Sequence, residues 1–158
     1  LAAAFLGAAE IDARGNVNVT KFNGKSVGPG GFIGITQPTP KVCFCGTFTA
    51  GKSEIEIRNS GIHIIKDGSI VKFKPEVEQI TFSGDYALET KQEVFFITER
   101  AVFKLTEKGI TLIEVAPGID IEKDIMAHMD FRPYVSKNLK KMDARLFEDK
   151  PMQLKLHS

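Results

Sequence analysis

Between Gly24 and Thr36 the chain reads GKSVGPGGFIGIT, with Gly24, Gly28, Pro29, Gly30 and Gly31 set just before a short apolar run. Such a stretch separates two strands and cannot extend either of them. Glycine accepts left-handed and mirror-β backbone angles and lets another group come close to the main chain. Two successive glycines after a proline can aim adjacent backbone N–H groups at one point, and that concavity suits an anion or a developing oxyanion. A tight surface turn has the same composition, so spacing alone leaves both readings open.

Around this loop the sequence reads as one domain. A chain of 158 residues can bury a substantial core. Lys and Arg number 21 against 20 Asp and Glu, a net charge of +1. This balance gives no basic surface for nucleic acid and no charged tail. The longest apolar stretch, Leu1 to Ala9, is too short to cross a bilayer and has no basic residues before it, so neither a membrane partner nor a targeting segment is expected. Cys43 and Cys45 have neither metal-ligand spacing nor further partners. They read as two small buried hydrophobes on one face of a core strand, and they point to a reducing, cytoplasmic compartment. His63, His128 and His157 are scattered and form no triad or ligand set, so no metal site is expected.

Turn signals divide the chain into short strands. Ala4 to Ile11 and Val17 to Phe22, on either side of Asp12-Ala13-Arg14-Gly15-Asn16, read as a hairpin. Phe32 to Thr36 opens a short helix or strand that Pro38 and Pro40 interrupt. Lys41 to Phe48 reads as a buried central strand. Glu54 to Arg58 and Ile62 to Lys66 alternate around Asn59-Ser60-Gly61, and Asp67-Gly68 signals a second hairpin into Ser69 to Lys74, which makes a meander with one wet face. A polar connector containing Glu89 and Glu93 follows. Val94 to Thr98, Ala101 to Leu105 and Ile110 to Val115 are strands, with Glu107-Lys108-Gly109 as a turn. Asp120 is a candidate N-cap for a helix carrying Ile121, Ile125, Met126 and Met129. Val135 to Met142 predicts a second helix with Ser136 as its cap, and Asp143 to Ser158 an extended tail. The resulting fold class is α/β, a mixed open sheet with an antiparallel hairpin and meander and C-terminal helices.

Four motifs in this order resemble family I coenzyme A transferases. Phe5-Leu6-Gly7-Ala8 with Arg14-Gly15-Asn16-Val17-Asn18 is similar to the family's "LGA…GN" hairpin. Gly24-Lys25 with Gly28-Pro29-Gly30-Gly31, followed by the strand from Lys41, resembles its glycine loop. Ile97-Thr98-Glu99-Arg100-Ala101-Val102-Phe103 resembles its "ITE(K/R)AVF" strand, and Ile110 to Ile119 its strand-then-helix ending. The likeness runs from Leu1 to about Phe131. With Phe32 after the glycines, it is nearest to the fused bacterial enzymes for short acyl chains.

The resemblance implies a mechanism. A glutamate attacks an acyl-CoA thioester, an acyl-glutamyl anhydride and then a glutamyl-CoA thioester form, and a second carboxylate takes the CoA. Acyl-CoA and a short-chain carboxylate are the implied partners. CoA enters as a substrate thioester, and no cofactor is implied. The oxyanion and CoA-binding candidates are Gly28, Gly30, Gly31 and Phe32, with Asn18 as a polar neighbour and Lys25 as a contact for a CoA phosphate; a solvated lysine is the competing reading for Lys25. The family's nucleophile sits in a Glu-x-Gly motif followed by further glycines, upstream of the "LGA" hairpin. This chain has no such segment there, so the nucleophile is expected upstream, in an N-terminal half or α subunit, and the 158 residues are expected to be a single C-terminal domain of a homo-oligomeric enzyme. A non-catalytic binding or assembly subunit of the same fold is the alternative, and a relative of the sugar-phosphate isomerases a more distant one.

Overall fold

The computed structural model describes residues 2–19, 21–22, 25–26 and 39–148. In chain order the strands are β1 (Ala4–Leu6), β2 (Glu10–Asp12), β3 (Val17–Asn18), β4 (Lys21–Phe22), β5 (Lys25–Ser26), β6 (Lys41–Cys45), β7 (Thr49–Ala50), β8 (Glu54–Arg58), β9 (Gly61–Lys66), β10 (Ile70–Val71) and β11 (Phe73–Lys74). Helix α1 (Gly84–Glu89) precedes β12 (Glu93–Ile97), β13 (Ala101–Thr106), β14 (Gly109–Val115) and β15 (Tyr134–Lys141).

A six-stranded mixed sheet, ordered β1-β6-β12-β13-β14-β15, is the frame. β1, β6 and β12 are mutually parallel, β13 is antiparallel to both its neighbours, and β15 is parallel to β14. Alternation along β6, β12 and β13 sends Val42, Phe44, Val94, Phe96, Ala101, Phe103 and Leu105 to one face, where all are buried. That face packs on a smaller sheet, β11-β2-β3, and on α1. Aromatic rings fill the space between the layers. Phe44 stacks on Phe96 at 5.5 Å and meets Phe82 edge-on at 5.1 Å, and Phe73 lies 5.1 Å from both Phe48 and Phe103. Each such pair adds about 0.5–1.5 kcal/mol beyond the area it buries. The opposite face is covered in part by the β8–β9 hairpin, where Ile62 joins Val102, Ala116 and Met142. On the same face, Phe5 on β1 is 69 % exposed.

A buried turn ties the small sheet to the start of α1. Asp12 accepts hydrogen bonds from the backbone N–H groups of Arg14, Asn16 and Val77 and from Asn16 Nδ2. Gly15 takes φ +79°, which a side chain there would resist. Asn16 Oδ1 then accepts from Gly84 N at the start of α1, and Ser83 caps that helix by accepting from Tyr86 N.

Several sequence expectations change. Ala4 to Ile11 is not one strand: β1 enters the large sheet, and β2 turns away to pair with β3. Asp67-Gly68 makes no hairpin, and the meander does not form. β9 pairs only with β8, β10 pairs with β7, and β11 lies parallel to β2. The reason is the Asp67 carboxylate, which is drawn to Arg100 and Thr49. Val135 to Met142 is strand β15 and not a helix; its backbone completes the edge of β14, and Ser136 accepts from Asn138 N. Asp120 does cap, accepting from Lys123 N, but the helix it starts is a π turn over Ile121–Ile125 followed by a 3-10 turn over Met126–His128. Cys43 is buried, as expected, whereas Cys45 is exposed because β6 reaches the rim of the sheet there. The segment taken as a polar connector contains α1, whose six residues are too few to show a helical period. The readings of Phe32 to Thr36 and of the tail beyond Glu148 fall outside the described residues.

Candidate active-site crevice at the carboxyl ends of the parallel strands

Because β1, β6 and β12 run in one direction, their carboxyl ends, Leu6, Cys45 and Ile97, reach one edge of the sheet together. In open α/β sheets this edge is where ligands bind. The segments leaving it, Gly7 to Ala9, Gly46 to Phe48 and Thr98 to Arg100, enclose a cavity of about 10 Å³, room for one water, lined by Ala8, Cys45, Gly46, Thr47, Lys72 and Thr98.

Polar side chains from distant parts of the chain fix this edge. Lys72, between β10 and β11, reaches up from the small sheet and donates to the Thr47 carbonyl at 2.8 Å. Glu99 accepts from Phe48 N at 2.9 Å and from Arg100 Nε at 3.2 Å. Arg100 is fully buried. Its guanidinium forks onto Asp67 at 2.7 and 3.0 Å, donates to the Asp124 carbonyl at 2.9 Å, and lies 4.8 Å from the centre of the Phe48 ring. Asp67 also accepts from Thr49 Oγ1 and faces His128 Nε2 at 3.1 Å. Burial alone pushes the Asp67 carboxyl up. Arg100, with Thr49 and His128, outweighs that and holds it below the usual carboxylate range. Burial pushes the Lys72 ammonium down, and the Glu99 carboxylate opposes this through space. Burial also raises both thiols.

The candidates named from sequence divide three ways. Gly28, Gly30, Gly31 and Phe32 lie outside the described residues. Lys25 is placed in β5, paired with Phe22. Asn18 is buried in β3 and donates to Glu10 Oε1 at 2.7 Å, so it is tied into the β2–β3 ribbon. The triplet Glu107-Lys108-Gly109 has the Glu-x-Gly form, but it turns between β13 and β14. β13 runs antiparallel to β12, so this turn sits at the edge opposite the crevice, with Glu107 exposed. Among the described residues no cluster of three or more His, Cys, Asp or Glu could hold a metal ion. No helix among them is long and apolar enough to cross a membrane.

Sequence reasoning missed Lys72, Asp67 and Arg100. The signal for Arg100 was the Thr98-Glu99-Arg100 step in the strand motif. For Lys72 it was a lysine between Val71 and Phe73, which alternation assigned to a wet face.

Fold and crevice define an α/β protein built on a mixed sheet with a polar crevice at the carboxyl edge of its parallel strands. No family model matches the chain. It is 52 % identical over 148 residues to the acetate CoA-transferase YdiF of Escherichia coli strain K12, covering 94 % of this chain and 28 % of that protein. It is 51 % identical over 152 residues to the caffeate CoA-transferase of Acetobacterium woodii, covering 93 % and 29 %. The crystal structure of the acyl-CoA transferase YdiF apoenzyme from Escherichia coli O157:H7 superposes with a TM-score of 0.96 at 51 % identity, over 99 % of this chain and 30 % of that one. The chain belongs to the coenzyme A transferases, and it spans less than a third of the length of these relatives.

Proposed function

We propose that the protein containing this chain moves CoA between short-chain carboxylic acids through a glutamyl-CoA thioester. The chain supplies the glycine loop and part of the CoA pocket. The nucleophilic glutamate comes from the N-terminal half or an α subunit of the same enzyme, which works as a homo-oligomer. The observation that carries this reading is the likeness to an acetate CoA-transferase over 94 % of the chain. A solved structure of the same type of enzyme, 52 % identical to this chain, is a thioester complex with CoA.

The chemistry follows from the carboxylates. A glutamate oxygen attacks the thioester carbonyl, the carbon–sulfur bond breaks, and an acyl-glutamyl anhydride and CoA thiolate result. The thiolate attacks the glutamyl carbonyl and releases the first carboxylate, leaving glutamyl-CoA. The acceptor carboxylate attacks the glutamyl carbonyl and expels CoA thiolate, and the thiolate then attacks the acceptor's own carbonyl and releases the free glutamate. Negative charge develops on a carbonyl oxygen at each stage, and backbone N–H groups of Gly28 to Phe32 are the donors for it. The scheme is redox-neutral and needs no group beyond the CoA thioester, which is a substrate.

The test uses the full-length enzyme. Incubation with acetyl-CoA should add CoA to the protein mass, and hydroxylamine should remove it, because it cleaves thioesters. Adding propionate should then release propionyl-CoA with ping-pong kinetics. Transfer without a covalent CoA species would overturn the glutamyl-CoA route. No transfer to any short carboxylate would overturn the function.

A further inference from the structure

Lys72 is a lysine that the fold has enclosed at the edge where ligands bind. It is 9 % exposed, on a residue type that is almost never buried without a charged partner. Arg100 nearby is matched by two carboxylates, Asp67 and Glu99. Lys72 is matched differently: among the described residues its ammonium donates one hydrogen bond, to the neutral carbonyl of Thr47. Glu99 acts on it only through space, while its own oxygens serve Phe48 N and Arg100. An ammonium has three donors. The nitrogen rests under Gly46, where a Cβ would lie 3.1 Å from Nζ, so the glycine leaves room for it. The cavity it lines is bounded by the ends of β6 and β12.

We propose that Lys72 is a specificity-determining, positioning residue of the transfer reaction: it holds the Gly46-Thr47 turn as the floor of the crevice and places a fixed positive charge there that favours the anionic carboxylate acceptor over a neutral group. The inference rests on the transferase reading above. Burying a cation that is paired only to a carbonyl is unfavourable for the fold alone, and a neutral side chain of the same length would serve packing equally well. The charge is accounted for when an anion binds above the turn. The acceptor's reacting group is a carboxylate, whereas the donor's is a neutral thioester whose phosphates lie at the far end of the pantetheine arm, so the two substrates should feel Lys72 unequally.

The experiment compares the full-length wild-type enzyme with Lys72→Met and Lys72→Arg. With acetyl-CoA as donor and propionate as acceptor, Lys72→Met should raise the KM for propionate on the order of tenfold, the scale of one charge interaction in a partly screened site. The KM for acetyl-CoA should stay within about twofold, since an interaction lost from one substrate should appear in that substrate's KM. Lys72→Arg should recover most of the difference. Equal changes for both substrates, or no change in a folded Lys72→Met protein, would overturn the proposal. If Lys72→Met does not fold, Gly46→Ala, which crowds the ammonium, should shift the same KM in the same direction, and no shift would count against the idea. A second readout needs no turnover. Propionate should raise the melting temperature of the wild type, and should do so less in Lys72→Met or Gly46→Ala. Absence of that stabilisation in the wild type overturns the Lys72 proposal, whereas absence of CoA transfer with the stabilisation intact overturns only the transferase reading.

Discussion

At the scale of single residues, burial decides what the polar groups do. Cys43 and Cys45 share a face of one strand, yet Cys43 is 5 % exposed and Cys45 lies open at the rim. Under native conditions alkylation should therefore label one thiol quickly and the other only on unfolding; mass spectrometry counts the adducts, and two fast adducts would contradict the placement of Cys43. The rate of labelling should climb as pH rises, because burial raises both thiols. Asp67 carries the opposite shift. Its folded value lies below the ordinary 3.8, so between the two values the unfolded chain binds more protons than the folded one. The stability it contributes is complete above 3.8 and is lost as pH falls through the lowered folded value. Asp67→Asn leaves the buried Arg100 guanidinium without one of its two carboxylates, and breaking such a pair costs about 3–5 kcal/mol. Chemical denaturation at pH 7 should show that loss, and the gap between variant and wild type should narrow in strong acid. A gap of the same size at every pH would assign the effect to shape and not to charge.

At the scale of elements, turns set the register. β8 and β9 pair from Arg58 with Gly61, so Asn59 and Ser60 alone form the connection, with φ of 52° and 54°. This is the two-residue hairpin turn whose twist matches the strands, and its second position favours glycine. Ser60 pays for the left-handed angle with only a 3.5 Å hydrogen bond to Glu148 in return. Ser60→Gly should stabilise the protein by about 0.5–1 kcal/mol, since a non-glycine residue there is strained by about 1–2 kcal/mol and glycine gives some of that back as chain entropy. A thermal melt checks it, and a lower Tm would mean that the Glu148 contact matters more than the strain. The hairpin was legible because alternation and turn signal agreed. Asp67-Gly68 carried an equally strong signal, but there a buried arginine in the turn between β12 and β13 captured the aspartate. Local preference yields when a fully buried guanidinium needs more than the one carboxylate, Glu99, that its own turn supplies.

At the scale of the whole molecule, the order of strands makes the site. Three parallel strands bring their ends to one edge, and the small sheet delivers Lys72 to the same place. In the full-length enzyme, Gly31→Val should lower turnover about a hundredfold or more while leaving the melting temperature nearly unchanged, because loss of one oxyanion donor costs on the order of 3 kcal/mol in the transition state. Normal turnover in the folded variant would remove the loop from the active site. The sequence by itself determined the strands β6, β8, β9, β12, β13 and β14, the N-cap at Asp120, the mixed α/β class and the family, because each rests on a period, a turn signal or an ordered motif a few residues long. Tertiary structure alone decided that Ala4 to Ile11 divides between two sheets, that residues 134–141 form a strand and not a helix, and that Lys72, Glu99, Arg100 and Asp67 converge. The physical reason is range. Backbone angles and alternation act between neighbours, whereas strand edges that need partners and buried charges that need counter-ions are satisfied by whatever the fold brings near, at sequence separations of 51 for Phe48 and Glu99 and 33 for Asp67 and Arg100.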